Sequence, residues 1–140
     1  EYASLRFLGH RDGMKGALTV SENLAFWSAL QNSGMEAVNW AMDQLALNSV
    51  ADMPVDTLSA GWRRRTGLAR LIIGHAPIWI LDEPYTSLDS DNISRVDSLI
   101  TTHLGSGGIV VIASHQTPSF AATHSIDMAA HPAPVEDLEW

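Results

Sequence analysis

The sequence predicts an α/β domain with a mostly parallel sheet and a small helical subdomain. Two short, continuously apolar runs, at residues 78–81 and 109–113, have the composition of parallel strands that are covered on both faces. A stretch of helical periodicity separates the runs, and the order strand, helix, strand indicates a βαβ unit. Two further helical stretches earlier in the chain supply the helical subdomain.

The first half of the chain predicts one strand and two helices. Residues 5–9 are expected to form a short strand that ends at a glycine. Thr19 and Glu22 have the spacing of a capping box, which opens a helix whose apolar stripe faces the core. The stripe consists of Leu24, Phe26, Trp27 and Leu30. After a glycine-containing turn, residues 35–47 resume the helical period, and we expect their methionines and Trp40 to pack in the core.

The second half predicts two more helices around the strand at 78–81. The third helix runs from about Ser59, its N-cap, to Ile73. The fourth runs from Asp89 to Leu104 and ends in a glycine-rich turn before the last strand. The third helix also carries Arg63, Arg64, Arg65 and Arg70. These arginines form either a basic cluster or one solvated face of the helix.

Composition and charge exclude several classes of protein. The 140 residues, 46% of them hydrophobic, suit one folded domain and contain no apolar run long enough to cross a bilayer. A formal net charge of −8 disfavours nucleic acid as a partner. The absence of cysteine excludes disulfides and thiolate metal sites.

Polar side chains follow both predicted strands at the point where each strand ends. Asp82 and Glu83 follow the first run, and His115 comes shortly after the second. Because ligands of open parallel sheets bind beyond the carboxyl ends of the strands, we expect these side chains to share one edge. A divalent metal would stabilise the charge of Asp82, and Glu83 could orient or deprotonate a water that attacks a phosphoryl group. Taken singly, the acid pair could instead cap a turn, and the histidine could be structural.

The start of the third helix adds a candidate anion site. Ser59, Ala60 and Gly61 place a hydroxyl group and the backbone amides of small residues at the positive end of a helix. Together with the acids and the histidine, this helix start indicates a phosphate-handling site.

In order and spacing, these motifs resemble those of the ABC ATPase family, which has a P-loop NTPase-like fold. LSAGW at 58–62 resembles the signature motif, IWILDE at 78–83 the Walker B motif with its catalytic glutamate, SLD at 87–89 the D-loop, and SH at 114–115 the switch histidine. Within the family, the chain resembles the ATP-binding subunit of the cytochrome c maturation haem exporter. Three segments carry this resemblance: FLGHRDGMKGALTVSENLAFW, LSAGWRRRTGLARL and APIWILDEPYTSLD.

The resemblance implies that ATP and Mg²⁺ bind at the sheet edge. Asp82 would bind the metal through water, Glu83 would be the general base, and His115 would contact the γ-phosphate. His10 stands where most of the family has the glutamine of the Q-loop, so it is assigned to the nucleotide site. The alternative for His10 is an ordinary loop histidine.

The resemblance also implies a head-to-tail dimer with a second ATPase subunit. Ser59, Ala60 and Gly61 would contact the γ-phosphate of a nucleotide held by the opposite subunit, and Asp89 would lie at the dimer contact. Trp62 replaces a residue that is commonly polar. It either loses a hydrogen bond that the family makes there or packs against a partner.

The implied function is ATP hydrolysis in an ABC-type complex that exports or handles haem for cytochrome c biogenesis. The further partners would be membrane-spanning transporter subunits, contacted mainly through residues 10–50. The protein would lie peripherally at the cytoplasmic face of the inner membrane. Two alternatives stay open: an ABC ATPase with another cargo, and a truncated, non-catalytic interaction module.

The P-loop of the family, G-x-x-x-x-G-K-[ST], has no counterpart around Lys15, the one lysine of the chain. We therefore expect a partial ABC ATPase domain that binds ATP poorly by itself. It is either a piece of a longer ATPase, with a strand and a P-loop upstream, or a natural truncation. Its expected parts are a helical section at 19–57, a section at 58–116 with the signature, Walker B, D-loop and switch histidine, and a tail at 117–140.

Overall fold

A three-stranded parallel sheet and four α-helices make up the fold of residues 5–130, the part of the chain that the computed structural model describes. The strands are β1 (Leu5–Leu8), β2 (Ile78–Asp82) and β3 (Ile109–Ala113), paired in the order β1-β2-β3. The helices are α1 (Val20–Leu30), α2 (Gly34–Gln44), α3 (Ala60–Ile72) and α4 (Ser90–Gly105). Short 3-10 helices lie at Asn48–Val50, Val55–Thr57 and Met128–Ala130. The predicted α/β fold is confirmed, and the end of the predicted tail, 131–140, lies outside the described residues.

The helix starts follow from local side-chain chemistry. The Thr19 hydroxyl accepts a hydrogen bond from the Glu22 amide at 3.2 Å, and the Thr19 amide donates to the Glu22 carboxylate at 2.8 Å. This is the predicted capping box of α1. Ser59 caps α3 as predicted, and Asp89, the predicted first residue of α4, is the N-cap of that helix. Each cap satisfies an amide that the first helical turn leaves without a partner.

The core lies between the first three helices and one face of the sheet. Leu24, Val38, Leu71 and Leu81 are among its fully buried or nearly buried members. The α4 helix packs on the same face of the sheet, where the His103 ring stacks on Trp79 of β2. No helix within residues 5–130 combines the length and the apolar character needed to span a bilayer.

Two predictions about buried helical residues are wrong. Phe26 and Leu30 of the predicted α1 stripe are 40% and 61% exposed. On α2, Met35 and Trp40 are 55% and 47% exposed, although Met42 of the same helix is buried. The core takes only a narrow stripe of each helix, because α1 and α2 also pack against each other and turn their remaining faces outward.

One face of the sheet is open among the described residues, against the prediction that both faces are covered. In the sheet, Leu5 and Phe7 of β1 pair with the two isoleucines of β2. The same isoleucines pair on their other side with Ile109 and Val111 of β3. All four of these edge-strand residues are at least 50% exposed. The reason is that the helices described pack on the opposite face, so alternation along each strand leaves this apolar set uncovered.

Candidate functional site

The site begins at the carboxyl end of β2, where the chain leaves the sheet. Asp82 is the last residue of the strand and pairs in register with Ala113 of β3. The next residue, Glu83, has a φ of 49°, which lies in the left-handed region. For a residue with a side chain, such a conformation costs of order 1–3 kcal/mol unless the surroundings compensate. The Glu83 amide donates to the Ala113 carbonyl at 2.7 Å, which fixes the point where the chain turns.

The turn aims the Glu83 carboxylate at the segment that follows β3. Its Oε1 accepts a hydrogen bond from the His115 backbone amide at 3.1 Å, and Oε2 lies 3.5 Å from the Ser114 hydroxyl. The His115 imidazole Nε2 lies 3.5 Å from Oε1 and is 99% exposed, whereas the Glu83 side chain is 31% exposed. The structure therefore brings together two of the three predicted strand-end residues, Glu83 and His115, with the imidazole directed to the outside.

The Asp82 carboxylate makes no hydrogen bond or ion pair with any residue in the described range 5–130. That range also contains no group of three or more histidine, cysteine, aspartate or glutamate side chains that could hold a metal. Mg²⁺ in nucleotide sites commonly uses one or two carboxylates together with the phosphates of the substrate. The Asp82 carboxylate, which has no partner in the described range, fits a site of that kind. The described residues do not form a site in which protein groups alone surround the metal.

The first turn of α3 packs against the loop that follows β2. The Ser59 hydroxyl accepts from the Trp62 amide at 3.4 Å, and Ser59 and Ala60 are exposed. A Cβ atom on Gly61 would lie 2.6 Å from the Ser87 carbonyl oxygen, so only glycine fits at this contact. The predicted signature and D-loop segments are therefore neighbours within one chain.

Asp89 and Trp62 both make local contacts. The Asp89 carboxylate accepts from the Asn92 amide at 2.9 Å, and this hydrogen bond holds the pKa of Asp89 below its usual value. The Trp62 ring lies over the Arg65 guanidinium at 3.7 Å from its centroid. Trp62 thus packs within its own chain, in a cation–π contact that sequence reasoning did not consider.

His10 lies in the loop that follows β1, and its side chain is exposed. Within residues 5–130 it makes no hydrogen bond or ion pair, so the structure does not join it to Asp82, Glu83 or His115. Two residues near His10 are connected to the end of β2. Gly9 and Asp12 accept hydrogen bonds from one buried arginine of α3, and the same arginine donates to the Glu83 carbonyl.

That arginine, Arg64, is the site residue that sequence reasoning missed. Arg64 and Arg65 are 5% and 8% exposed, so the interpretation of the arginines as one solvated face is wrong for both. A usable signal was present in the sequence. Arg64 shares the i, i+4, i+7 spacing with Leu68 and Leu71, which places it on the buried stripe of its helix.

Comparison with known proteins identifies the family and the fold of the chain. The sequence profile of the ABC transporter family matches residues 2–86. The chain is 44% identical over 112 residues to the cytochrome c biogenesis ATP-binding export protein CcmA of Paracoccus denitrificans, which covers 80% of this chain and 52% of that protein. It is 38% identical over 130 residues to the protein of the same name from Cereibacter sphaeroides, covering 93% and 61%. The chain thus spans between 52% and 61% of the length of these relatives.

A solved structure gives the same fold. The dimeric, post-hydrolysis form of the ATP-binding cassette MJ0796, bound to ADP and Pi, aligns with a TM-score of 0.73 at 21% identity and covers 81% of this chain and 53% of that chain. The resemblance drawn from the sequence motifs, both to the ABC ATPases and to the ATP-binding subunits for cytochrome c maturation, is confirmed. Because the profile match spans more than half of its residues, the chain belongs to the ABC transporter family.

Proposed function

We propose that this chain is part of the ATP-hydrolysing subunit of an ABC-type complex that handles haem for cytochrome c biogenesis. The observation that carries the proposal is the contact between the Glu83 carboxylate and the His115 amide at 3.1 Å, at the carboxyl edge of two parallel strands. A carboxylate and an imidazole at this carboxyl edge of the sheet, called the rim below, suit the transfer of a phosphoryl group to water. The names of the relatives supply the biological context.

In this proposal each residue at the rim has a separate task. Glu83 accepts the proton of the attacking water or orients it, and the His115 imidazole contacts the γ-phosphate from the solvent side. Asp82 would hold Mg²⁺ through water, and the metal, when bound, would neutralise charge on the phosphate oxygens. His10 lies on the loop beside the rim and is assigned to the nucleotide site. The left-handed backbone of Glu83 supports this scheme, because strain of this kind is concentrated at functional sites.

A second subunit completes the proposed site. Ser59, Ala60 and Gly61 would contact the γ-phosphate of a nucleotide held mainly by the opposite subunit, and Asp89 would lie at the contact between subunits. Two features of this chain support the assignment: Ser59 and Ala60 at the start of α3 are exposed, and the amides at N1 and N2 have no partner within the helix. The resulting dimer would be head to tail.

The proposed membrane partners would contact the loop after β1 and the helical section. A pocket of about 320 Å³ lies there, lined by Arg6, Arg11 and Arg70 together with Phe7 and Trp27. Guanidinium groups beside aromatic rings suit a partner segment that combines acidic and apolar side chains. Through such a contact the protein would be held at the cytoplasmic face of the inner membrane, where hydrolysis would drive a translocase.

We also propose the division of the chain that the motifs predict: a helical section at 19–57, a catalytic section at 58–116 and a tail at 117–140. The 140 residues alone are expected to hydrolyse no ATP, because they contain no sequence that can cradle the β- and γ-phosphates as a P-loop does.

The test is ATP hydrolysis by the full-length protein, purified with its membrane subunits. The proposal expects Mg²⁺-dependent hydrolysis that EDTA abolishes, and no hydrolysis by residues 1–140 alone. In cells, deletion of the gene should abolish c-type cytochromes, and the wild-type gene should restore them. A full-length protein that does not hydrolyse ATP would contradict the catalytic part. Normal c-type cytochromes in the deletion strain would contradict the haem part and favour another cargo.

A further inference from the structure

We propose that Arg64 is a positioning residue that holds the backbone of Glu83 in its catalytic geometry and connects it to the loop after β1. The inference rests on the proposed function, since it concerns the same site. It assigns a task to a residue outside the site positions named above, whose guanidinium bonds main-chain carbonyls and the Asp12 carboxylate in the described range.

Arg64 reaches three separate parts of the chain from one buried position. Its side chain is 7% exposed and projects from the second turn of α3. Nη1 donates to the Gly9 carbonyl at 2.9 Å and to the Asp12 carboxylate at 2.7 Å. Nη2 donates to the Asp82 carbonyl and, at 2.9 Å, to the Glu83 carbonyl. The guanidinium thus joins the signature helix, the loop after β1 and the end of β2.

The bond to the Glu83 carbonyl matters because of the conformation of that residue. With a φ of 49°, Glu83 turns its carbonyl out of the ladder of β2, so a donor from outside the sheet has to hold it. The other hydrogen bonds of its main chain come from β3, through the Ala113 carbonyl at 2.7 Å, and from its own turn, through the Thr86 amide at 3.3 Å. Within residues 5–130, Arg64 is the one side chain that bonds the Glu83 main chain.

The same guanidinium also transmits the position of the loop after β1. Asp12 forms an ion pair with Nη1, and Asp12 and Gly9 flank His10. The guanidinium is planar and rigid, so a displacement of Nη1 by the loop displaces Nη2 at Glu83. A partner that moves this loop would therefore shift the general base without contacting it.

The structure offers a matched pair of variants to separate positioning from stability. Arg64→Lys keeps the charge but cannot reach both sets of acceptors, because an ammonium group lacks the planar fork. Arg65→Lys changes an equally buried arginine of the same helix, whose Nη1 donates to the Leu45 and Ala46 carbonyls, away from the rim. Both variants lose hydrogen bonds to carbonyl groups, but only the first loses the bond to Glu83.

The experiment measures ATP hydrolysis by the full-length protein in its membrane complex. For Arg64→Lys we expect kcat to fall by about 10²-fold, which is the effect of a displacement of about 1 Å in a catalytic group. The KM for ATP should stay unchanged, because the proposal gives Arg64 no direct contact with nucleotide. Asp12→Asn, at a side chain that is 19% exposed, should keep the fold and lose part of the stimulation by the membrane subunits.

Hydrogen exchange gives a second readout that needs no ATP. Backbone amides of residues 83–88 should exchange faster in Arg64→Lys than in wild type or in Arg65→Lys. Wild-type kcat in Arg64→Lys, or unchanged exchange at 83–88, would overturn the inference. A wild-type complex without ATPase activity would instead refute the proposed function, and the exchange experiment would still decide the positioning role.

Discussion

Asp82 and Glu83 are adjacent acids at the end of an apolar strand, but the chain holds them differently. The Glu83 carboxylate accepts a hydrogen bond from the His115 amide at 3.1 Å, and the Glu83 main chain is bonded to β3 and α3. The Asp82 carboxylate has no such partner within the described residues. A partly buried charge without a donor gains most from a cation. The difference supports the proposal that Glu83 acts on water and Asp82 faces Mg²⁺.

His103 predicts how stability depends on pH. Its ring stacks on Trp79 with 3.9 Å between centroids, and burial, aided by the neighbouring His75, lowers its pKa below the usual value. The unfolded chain therefore binds more protons than the folded chain below about pH 6.5, so the free energy of unfolding should fall as the pH drops.

The measurement is urea denaturation of the full-length protein between pH 5 and pH 8. His103→Phe keeps a stacked ring without a titrating group, so this variant should lose less stability on acidification than wild type does. An equal loss in both proteins would contradict the assignment.

The arginines of α3 show what the sequence can predict about single residues. The caps at Thr19 and Ser59 were predicted correctly because an N-cap is decided within four residues. The burial of Arg64 is indicated by its spacing with Leu68 and Leu71, but its acceptors are not: they are three main-chain carbonyls and the Asp12 carboxylate, up to 55 positions away. No side-chain pattern in the sequence predicts hydrogen bonds to distant main-chain carbonyls.

At the scale of elements, a buried carboxylate ties together the loop after β2, the helix α4 and the segment after β3. Asp97 of α4 is 4% exposed and accepts from the Tyr85 hydroxyl at 2.6 Å and the Ser119 amide at 3.0 Å. Burial, reinforced by this bond to Asp97, raises the pKa of Tyr85. The two chain segments that leave the rim are thereby fixed to one helix.

Tyr85→Phe should lower the free energy of unfolding by about 1.5–3 kcal/mol, because it removes a buried hydrogen bond to a charged acceptor. Ser98→Ala is the control on the same helix: its hydroxyl donates to a carbonyl in an exposed position, so a change within about 0.5 kcal/mol is expected. Urea denaturation measures both variants. Equal effects of the two substitutions would show that the Asp97 contact contributes nothing particular.

Element boundaries were more predictable than element environments. All three strands and four helices lie within a few residues of their predicted bounds, because capping residues, glycine turns and apolar runs are local signals. The exposure of Trp40 on α2 was not predictable in this way. Which stripe of a helix is buried depends on the neighbours that pack on it, and these are set by the fold.

At the scale of the whole molecule, the largest departure from expectation is the face of the sheet that residues 5–130 leave uncovered. Phe7, Ile109 and Val111 are each more than half exposed on this face. A contiguous apolar surface of this kind promotes association with other apolar surfaces. The alternation of side chains along each strand follows from the sequence, but the elements that cover each face do not.

Residues 1–140, expressed alone, should bind the apolar dye ANS and self-associate. Val111→Lys should reduce both, because it puts a charge in the centre of the exposed face of β3. Ile126→Lys is the control, since Ile126 is 75% exposed but lies outside the sheet. Dye fluorescence and light scattering measure the effect, and an equal reduction by both substitutions would mean that the face is not responsible.

The most direct test of the whole account is the rate of ATP hydrolysis after Glu83→Gln in the full-length protein with its membrane subunits. Glutamine keeps an oxygen that can accept from the His115 amide, so the fold should be unchanged, but it cannot take a proton from water. The account predicts that kcat falls by about 10²-fold to 10⁴-fold, whereas Asp91→Asn, at an exposed acid of the first turn of α4, leaves it unchanged. A wild-type rate in Glu83→Gln would contradict the account.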